Sequence, residues 1–226
     1  MLFRSEWYFA PGALFSAAVF TKEISSFPQN ITRSGSLSYV LDSASLAAVK
    51  DALTNAALLA YINADGDWTI RQYVDAPGGR ISGVEFSYQQ NLSFLPKPFD
   101  KLGVQANYTH LESKLGYILN PDDPDGIVEG PWLGASPDAV NFTVYYDADK
   151  WSARLSSAYR AAYYTTYPLA SGTCAPGDCS SPYVNDFGGS NATFNLDGSA
   201  TYTVNKFITL NVEALNLTNQ IGRAHV

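Results

Sequence analysis

"AVNFTVYYDADKWSARLSSAYR", residues 139–160, alternates apolar and polar positions twice across one short turn. Val140, Phe142, Val144 and Tyr146 fall on one side of an extended chain, and Asn141, Thr143 and Tyr145 on the other. After "DADK" (147–150), Trp151, Ala153, Leu155 and Tyr159 oppose Ser152, Arg154, Ser156 and Arg160. A period of two places successive side chains on opposite faces of a strand, so each face meets a different environment.

The same pattern spreads in both directions. In "NATFNLDGSATYTV" (191–204), Ala192, Phe194, Leu196, Gly198, Ala200 and Tyr202 face away from Thr193, Asn195, Asp197, Ser199 and Thr201. "KFITLNVEAL" (206–215) sets Ile208, Leu210, Val212 and Ala214 against Thr209, Asn211 and Glu213. "GVEFSYQQNLSF" (83–94) sets Val84, Phe86, Tyr88, Leu92 and Phe94 against Glu85, Ser87, Gln89, Asn91 and Ser93, and "GVQANYTH" (103–110) fits as well.

The connections alternate too. Short ones fall near 10–13, 95–101, 147–150 and 204–206; long ones, rich in Gly, Pro, Ser, Asp and Asn, span about 24–79, 116–136 and 165–189. Short turns at one end and long loops at the other are the layout of an outer-membrane barrel. Trp7, Tyr8, Phe9, Tyr145, Tyr146 and Trp151 cluster beside the short turns, as an interfacial aromatic girdle does. "DWTIRQYVD" (67–75) is expected within the outer loop, as an extension above the membrane, and "SASLAAVKDALTNAALLAYI" (43–62) as a short helix there.

Composition supports an unusual solvent. The 226 residues carry a net charge of -7, only 15% charged residues, and 15 Tyr; typical soluble domains are about a quarter charged. An acidic chain this poor in Lys and Arg is not a nucleic-acid binder. The polar faces are thick with Asn, Thr, Ser and Gln but sparse in Lys and Glu, and the strands are longer than the usual five or six residues or so. Both features favour an apolar face turned to lipid over one turned inward. The alternative is a secreted β-sandwich module for carbohydrate, with its Tyr-rich faces as stacking platforms.

At "GGRISGVEFSYQQNLSFLP" (78–96) the sequence resembles a TonB-dependent outer-membrane receptor, through Gly78, Gly79, Gly83, Glu85, Leu95 and Pro96. Three further stretches resemble the same family in the same order: 6–27, "LGVQANYTHLESK" at 102–114 and "FITLNVEALNLTNQ" at 207–220. The resemblance implies an all-β, antiparallel transmembrane barrel of about 22 strands, plugged, in a Gram-negative outer membrane. It implies uptake of a scarce nutrient such as a siderophore, energised through TonB. This chain would supply roughly eight strands over residues 6–220, an open curved sheet when isolated, and the plug and TonB-contact segments would lie outside it.

Few residues invite a site assignment. Cys174 and Cys179, in "CAPGDC", read as a small disulfide loop, with two free thiols as the alternative; a mass deficit of two hydrogens would mark the bridge. Arg154 and Arg160 should point into the lumen, toward plug carboxylates or an anionic ligand, and Glu85 and Glu213 share that face. Asp122, Asp123, Asp125 and Glu129 lack the spacing of a calcium loop, so no metal is expected, and a solvated turn is the ordinary reading. No catalytic set, phosphate loop or cofactor motif stands out.

The ends break the pattern. "IGRAHV" (221–226), back-translated as ATC GGA AGA GCA CAC GTC after a CAG codon, looks like a sequencing-library adapter, and "MLFRS" (1–5) as GTG CTC TTC CGA TCT is the inverted stem. Residues 1–5 and 221–226 are therefore expected to be foreign. The encoding DNA decides this: any other codons at either end would sink the idea.

Overall fold

A computed structural model describes residues 1–64, 68–118, 126–166, 188–220 and 224–225. The strands are β1 (Leu2–Ala10), β2 (Ala13–Gly35), β3 (Trp68–Asn91), β4 (Leu102–Ile118), β5 (Ile127–Gly130), β6 (Asp138–Asp147), β7 (Trp151–Arg160), β8 (Tyr163–Thr166), β9 (Gly188–Ser190), β10 (Thr193–Asn205), β11 (Ile208–Ala214) and β12 (Ala224–His225). One sheet holds nine of them, in the order β1-β2-β3-β4-β6-β7-β10-β11, with β5 attached to β4. The order is nearly that of the sequence, as hairpin connections dictate. The sheet is open and curved, a partial barrel. A second sheet has the order β12-β9-β8.

Register joins the faces read from the sequence. Across β6 and β7, Val140 lies opposite Tyr159, Val144 opposite Leu155 and Tyr146 opposite Ala153. Between them, Thr143 meets Ser156 and Tyr145 meets Arg154. β10 adds Phe194 beside Tyr159 and Gly198 beside Leu155, with Asp197 beside Ser156. β11 then sets Leu210 opposite Tyr202 and Thr209 opposite Thr203. A slip of one residue would exchange the two faces, so side-chain chemistry fixes the pairing.

Among the described residues, none covers the apolar face. Phe142 is 44% exposed, Leu155 48%, Leu210 56% and Val212 68%. No large side chain is completely buried among the described residues. Rows of aromatics run along this face: Phe15, Phe86 and Tyr108 have successive ring centroids 6.3 Å apart. In water each such side chain would forgo about 1.5–3 kcal/mol of burial, so the face is built for an apolar solvent. The sandwich alternative requires a second sheet packed here, and among the described residues none covers the band.

Tyr146 and Trp151 stack at 4.4 Å across the β6–β7 turn, on the apolar face, as a girdle requires. Trp7 and Phe9 pack with centroids 5.3 Å apart, and Phe9 continues onto Tyr88 at 6.1 Å. Tyr8 and Tyr145 depart from the expected girdle by turning to the polar face, where each finds a hydrogen-bond partner.

The first long connection is shorter than the sequence suggests. β2 continues to Gly35 and β3 starts at Trp68, so residues 68–75 form an extension of β3 beyond the stretch, Gly79–Asn91, that pairs with β4. The glycines read as loop signals serve close backbone approach instead. A Cβ on Gly78 would lie 1.5 Å from the Ile24 carbonyl oxygen, and one on Gly79 would lie 2.0 Å from that of Lys114.

The chain divides into two compact units: residues 1–25, 78–116 and 129–226 form one, and 26–77 with 117–128 the other. The second has its own small core of Ile31, Ile62, Ile70, Ala76 and Tyr117. Its buried Gln29 donates from Nε2 to the Ile118 carbonyl at 2.8 Å and accepts from the Ile118 N–H at 2.9 Å, replacing a ladder pair. The expected helix forms as two, α1 (Ser43–Ala52) and α2 (Ala56–Asn63). Asn55 divides them, since its side chain accepts from the Leu58 N–H at 3.1 Å and caps α2.

β1 begins at Leu2, and Ala224 and His225 pair with Ser190 and Gly189. Such ladders use main-chain groups whatever side chains accompany them, so the foreign origin of 1–5 and 221–226 stands as a proposal. Cys174, Cys179, Asp122, Asp123 and Asp125 lie outside the described residues, and the structure lends the disulfide no support.

The two faces make a prediction for the complete barrel. Asp at Phe142, Leu155 or Leu210 should impair assembly, while Asp at Thr143, Ser156 or Thr209 should be tolerated. A basic charge on the lipid face costs about 2–4 kcal/mol at the midplane, and Asp somewhat less. Heat-modifiable electrophoretic mobility reads assembly; equal tolerance at both sets would refute the assigned orientation.

Candidate functional site

The polar face carries the four charged residues picked out in the sequence, and register arranges them in two rows. Glu213 lies opposite Ser199, Ser199 opposite Arg154, and Arg154 opposite Tyr145. Glu85 lies opposite Thr109, Thr109 opposite Ala139, and Ala139 opposite Arg160. Each row therefore holds one Arg and one Glu. Six residues of β7 separate the rows, roughly 20 Å at the rise of a strand. Arg–Glu pairs do not form within a row, because β10 lies between Glu213 and Arg154, and β4 and β6 lie between Glu85 and Arg160.

Their partners differ. The Arg160 guanidinium donates from Nη2 to the Gly134 carbonyl and sits 3.7 Å from the centroid of the Tyr163 ring. Gly134 adopts φ +79, a conformation favoured by glycine, at the turn that presents this carbonyl. Arg154, Glu85 and Glu213 are exposed and make no hydrogen bond or ion pair among the described residues. Glu85 shares a groove with Arg4, Ser16, Ser87, Asn107 and Thr109. Arg4 there pairs with Glu6 at 2.7 Å, and Tyr8 donates to Glu6 at 2.8 Å.

At the short-turn end the Arg154 row continues through Tyr145 to Gly103 and Asn91. The Tyr145 ring lies across Gly103, where a Cβ would come within 2.2 Å of the ring, and its hydroxyl donates to Asn91 Oδ1 at 2.5 Å. The Asn91 N–H in turn donates to the Gly12 carbonyl at 3.2 Å. One aromatic thus spans three strands and ties them to the β1–β2 turn.

The structure also assembles a cluster absent from the sequence reading. On the face that carries Phe86 and Val140, Tyr108 donates to Asp138 Oδ1 at 2.8 Å, and His110 Nδ1 lies 2.9 Å from the same oxygen. His110 Nε2 is 3.8 Å from Glu112. Asp138 is 28 and 30 residues from its partners, and only the β4–β6 register brings them together. The signal available beforehand was a polar interruption, Tyr-x-His, in an otherwise apolar face.

Comparison with known proteins accords with this geometry. Residues 3–217 match the family profile described as TonB dependent receptor-like, beta-barrel. No curated protein matches the chain. Among solved structures, a mutant ferric enterobactin receptor from Pseudomonas aeruginosa is similar at a TM-score of 0.55 and 14% identity. The similarity covers 96% of this chain and 25% of that one, so this chain spans about a quarter of that receptor's length. At this identity the likeness is one of fold.

The Tyr145 bridge is directly testable. In the complete barrel Tyr145→Phe should lower stability by about 1 kcal/mol through the lost hydrogen bond. Gly103→Val, which displaces the ring, should cost about 1–3 kcal/mol. Urea unfolding in detergent measures both; an unmoved midpoint for the two variants would refute the bridge.

Proposed function

The chain belongs to the family of TonB-dependent receptor β-barrels, and on that premise we propose that it forms part of the wall of an outer-membrane receptor that takes up a scarce nutrient. A siderophore is one such nutrient, and energy would come through TonB from the inner membrane. The observation that carries this reading is the two-faced sheet: an exposed apolar band on one side, and on the other a polar wall in which Arg154, Glu85 and Glu213 have no partner in the described chain.

Charges left open on a lumenal wall need counter-groups, because an unpaired charge away from bulk water is costly. Plug side chains of opposite sign supply them in this reading, with Arg154 facing a carboxylate and Glu85 and Glu213 facing bases. Arg160 is already engaged and serves to hold the Gly134 turn. In the same reading Cys174 and Cys179 close a small loop outside the cell, which periplasmic oxidation would form before assembly. Thiols that alkylate without reductant would contradict that bridge.

The end strands β1 and β11 each pair on one side only. Lipid offers nothing to their open N–H and C=O groups, so the chain works in this reading as part of a larger closed barrel. Deleting the parent gene should abolish growth on its nutrient, and the complete gene should restore it only in cells that have TonB. The 226-residue chain alone should restore nothing. Uptake by the chain alone, or uptake indifferent to TonB, would contradict the proposal.

A further inference from the structure

Near the long-loop end of the larger unit, a cavity of about 540 Å³ lies between the end of β4, the segment before β6, and the small sheet of β8 and β9. That volume is within the roughly 300–1,000 Å³ of small-molecule sites. Its walls combine apolar surface from Leu111 and Pro131 with the ring of Tyr163, and neutral polar groups from Ser113, Ser190 and Asn191. Leu111 and Ser113 stand on the same side of β4 as Thr109, the polar face, so the cavity opens on the wall that Arg160 and Glu85 also line.

The charge around it is informative. Arg160 is held by the Gly134 carbonyl and covers one face of the Tyr163 ring. Lys114, next to Ser113, is paired with Glu129. Glu112, the one charged residue among the described lining, alternates with Leu111 and Ser113 along β4 and turns its side chain, 78% exposed, to the opposite face beside His110. Among the described residues no Lys or Arg lines the cavity, so an anionic ligand would gain no direct ion pair from its walls. The neutral groups retain capacity: the Ser113 hydroxyl accepts from the Trp132 N–H at 2.8 Å and keeps its own proton to donate. Asn191 makes no side-chain hydrogen bond among the described residues.

We propose that this cavity is a ligand-contact site for a neutral, polyhydroxylated ring compound, a short saccharide, rather than for an anionic ferric chelate. The open face of Tyr163 and the apolar wall take the C–H faces of the rings, while Ser113, Ser190 and Asn191 satisfy hydroxyls. The inference rests on the receptor reading above and narrows its nutrient.

Calorimetric titration of the complete receptor in detergent tests it, with maltotriose, cellotriose and xylotriose against a ferric catecholate chelate. At least one saccharide should bind and the chelate should not. Tyr163→Ala should weaken binding about tenfold through loss of the ring contact. Asn191→Ala should weaken it about fivefold, as one neutral hydrogen bond implies, and Tyr163→Phe should change it little. Binding of the chelate, binding of no saccharide, or saccharide binding indifferent to both alanine variants would overturn the proposal. TonB-dependent uptake that survives such a result would leave the receptor reading in place.

Discussion

A backbone N–H or C=O in hydrocarbon must find its partner within the protein, because the solvent offers none. The two-faced sheet of this chain follows from that requirement. The requirement forces the strands into continuous ladders, and a ladder with period-two side chains has two faces whether or not both are useful. Phe142 and Leu155 go to one face because Thr143 and Ser156 go to the other, and the β6–β7 register leaves no intermediate choice. The sheet has little core because the solvent itself accommodates the apolar band.

The polar face is then free to carry specificity. Its charges are few and spaced in rows, so each is legible as an individual. Arg160 is committed to the wall, whereas Arg154 looks onto open space. Tyr145 shows a third use of this face, where a large side chain lies over the space left by a glycine and bonds beyond it. The same removal of steric bulk explains Gly78 and Gly79, which let backbones approach where the composition suggests a loop.

Strand faces were legible in the sequence because alternation is local and needs no knowledge of neighbours. Phe194, Leu196 and Tyr202 could be assigned from their own segment, and the β7–β10 register agrees. What depended on partners was less accessible. The extent of β2 and β3 was hidden because Gly and Pro signal loops unless a close neighbour is known. The Tyr108–Asp138–His110 cluster was hidden because its members come from separate strands. Arg160 could be placed on the polar face, but its capture by Gly134 depends on a turn conformation that sequence alone does not reveal.

The central claim is that one face meets lipid and the other does not. Spin labels placed singly at residues 140 to 145 of the complete receptor in bilayers measure this directly, through collision with oxygen and with a water-soluble nickel chelate. We predict oxygen access at 140, 142 and 144 and nickel access at 141, 143 and 145, alternating with a period of two. Uniform nickel access along the segment, or the opposite phase, would contradict the assignment of the faces.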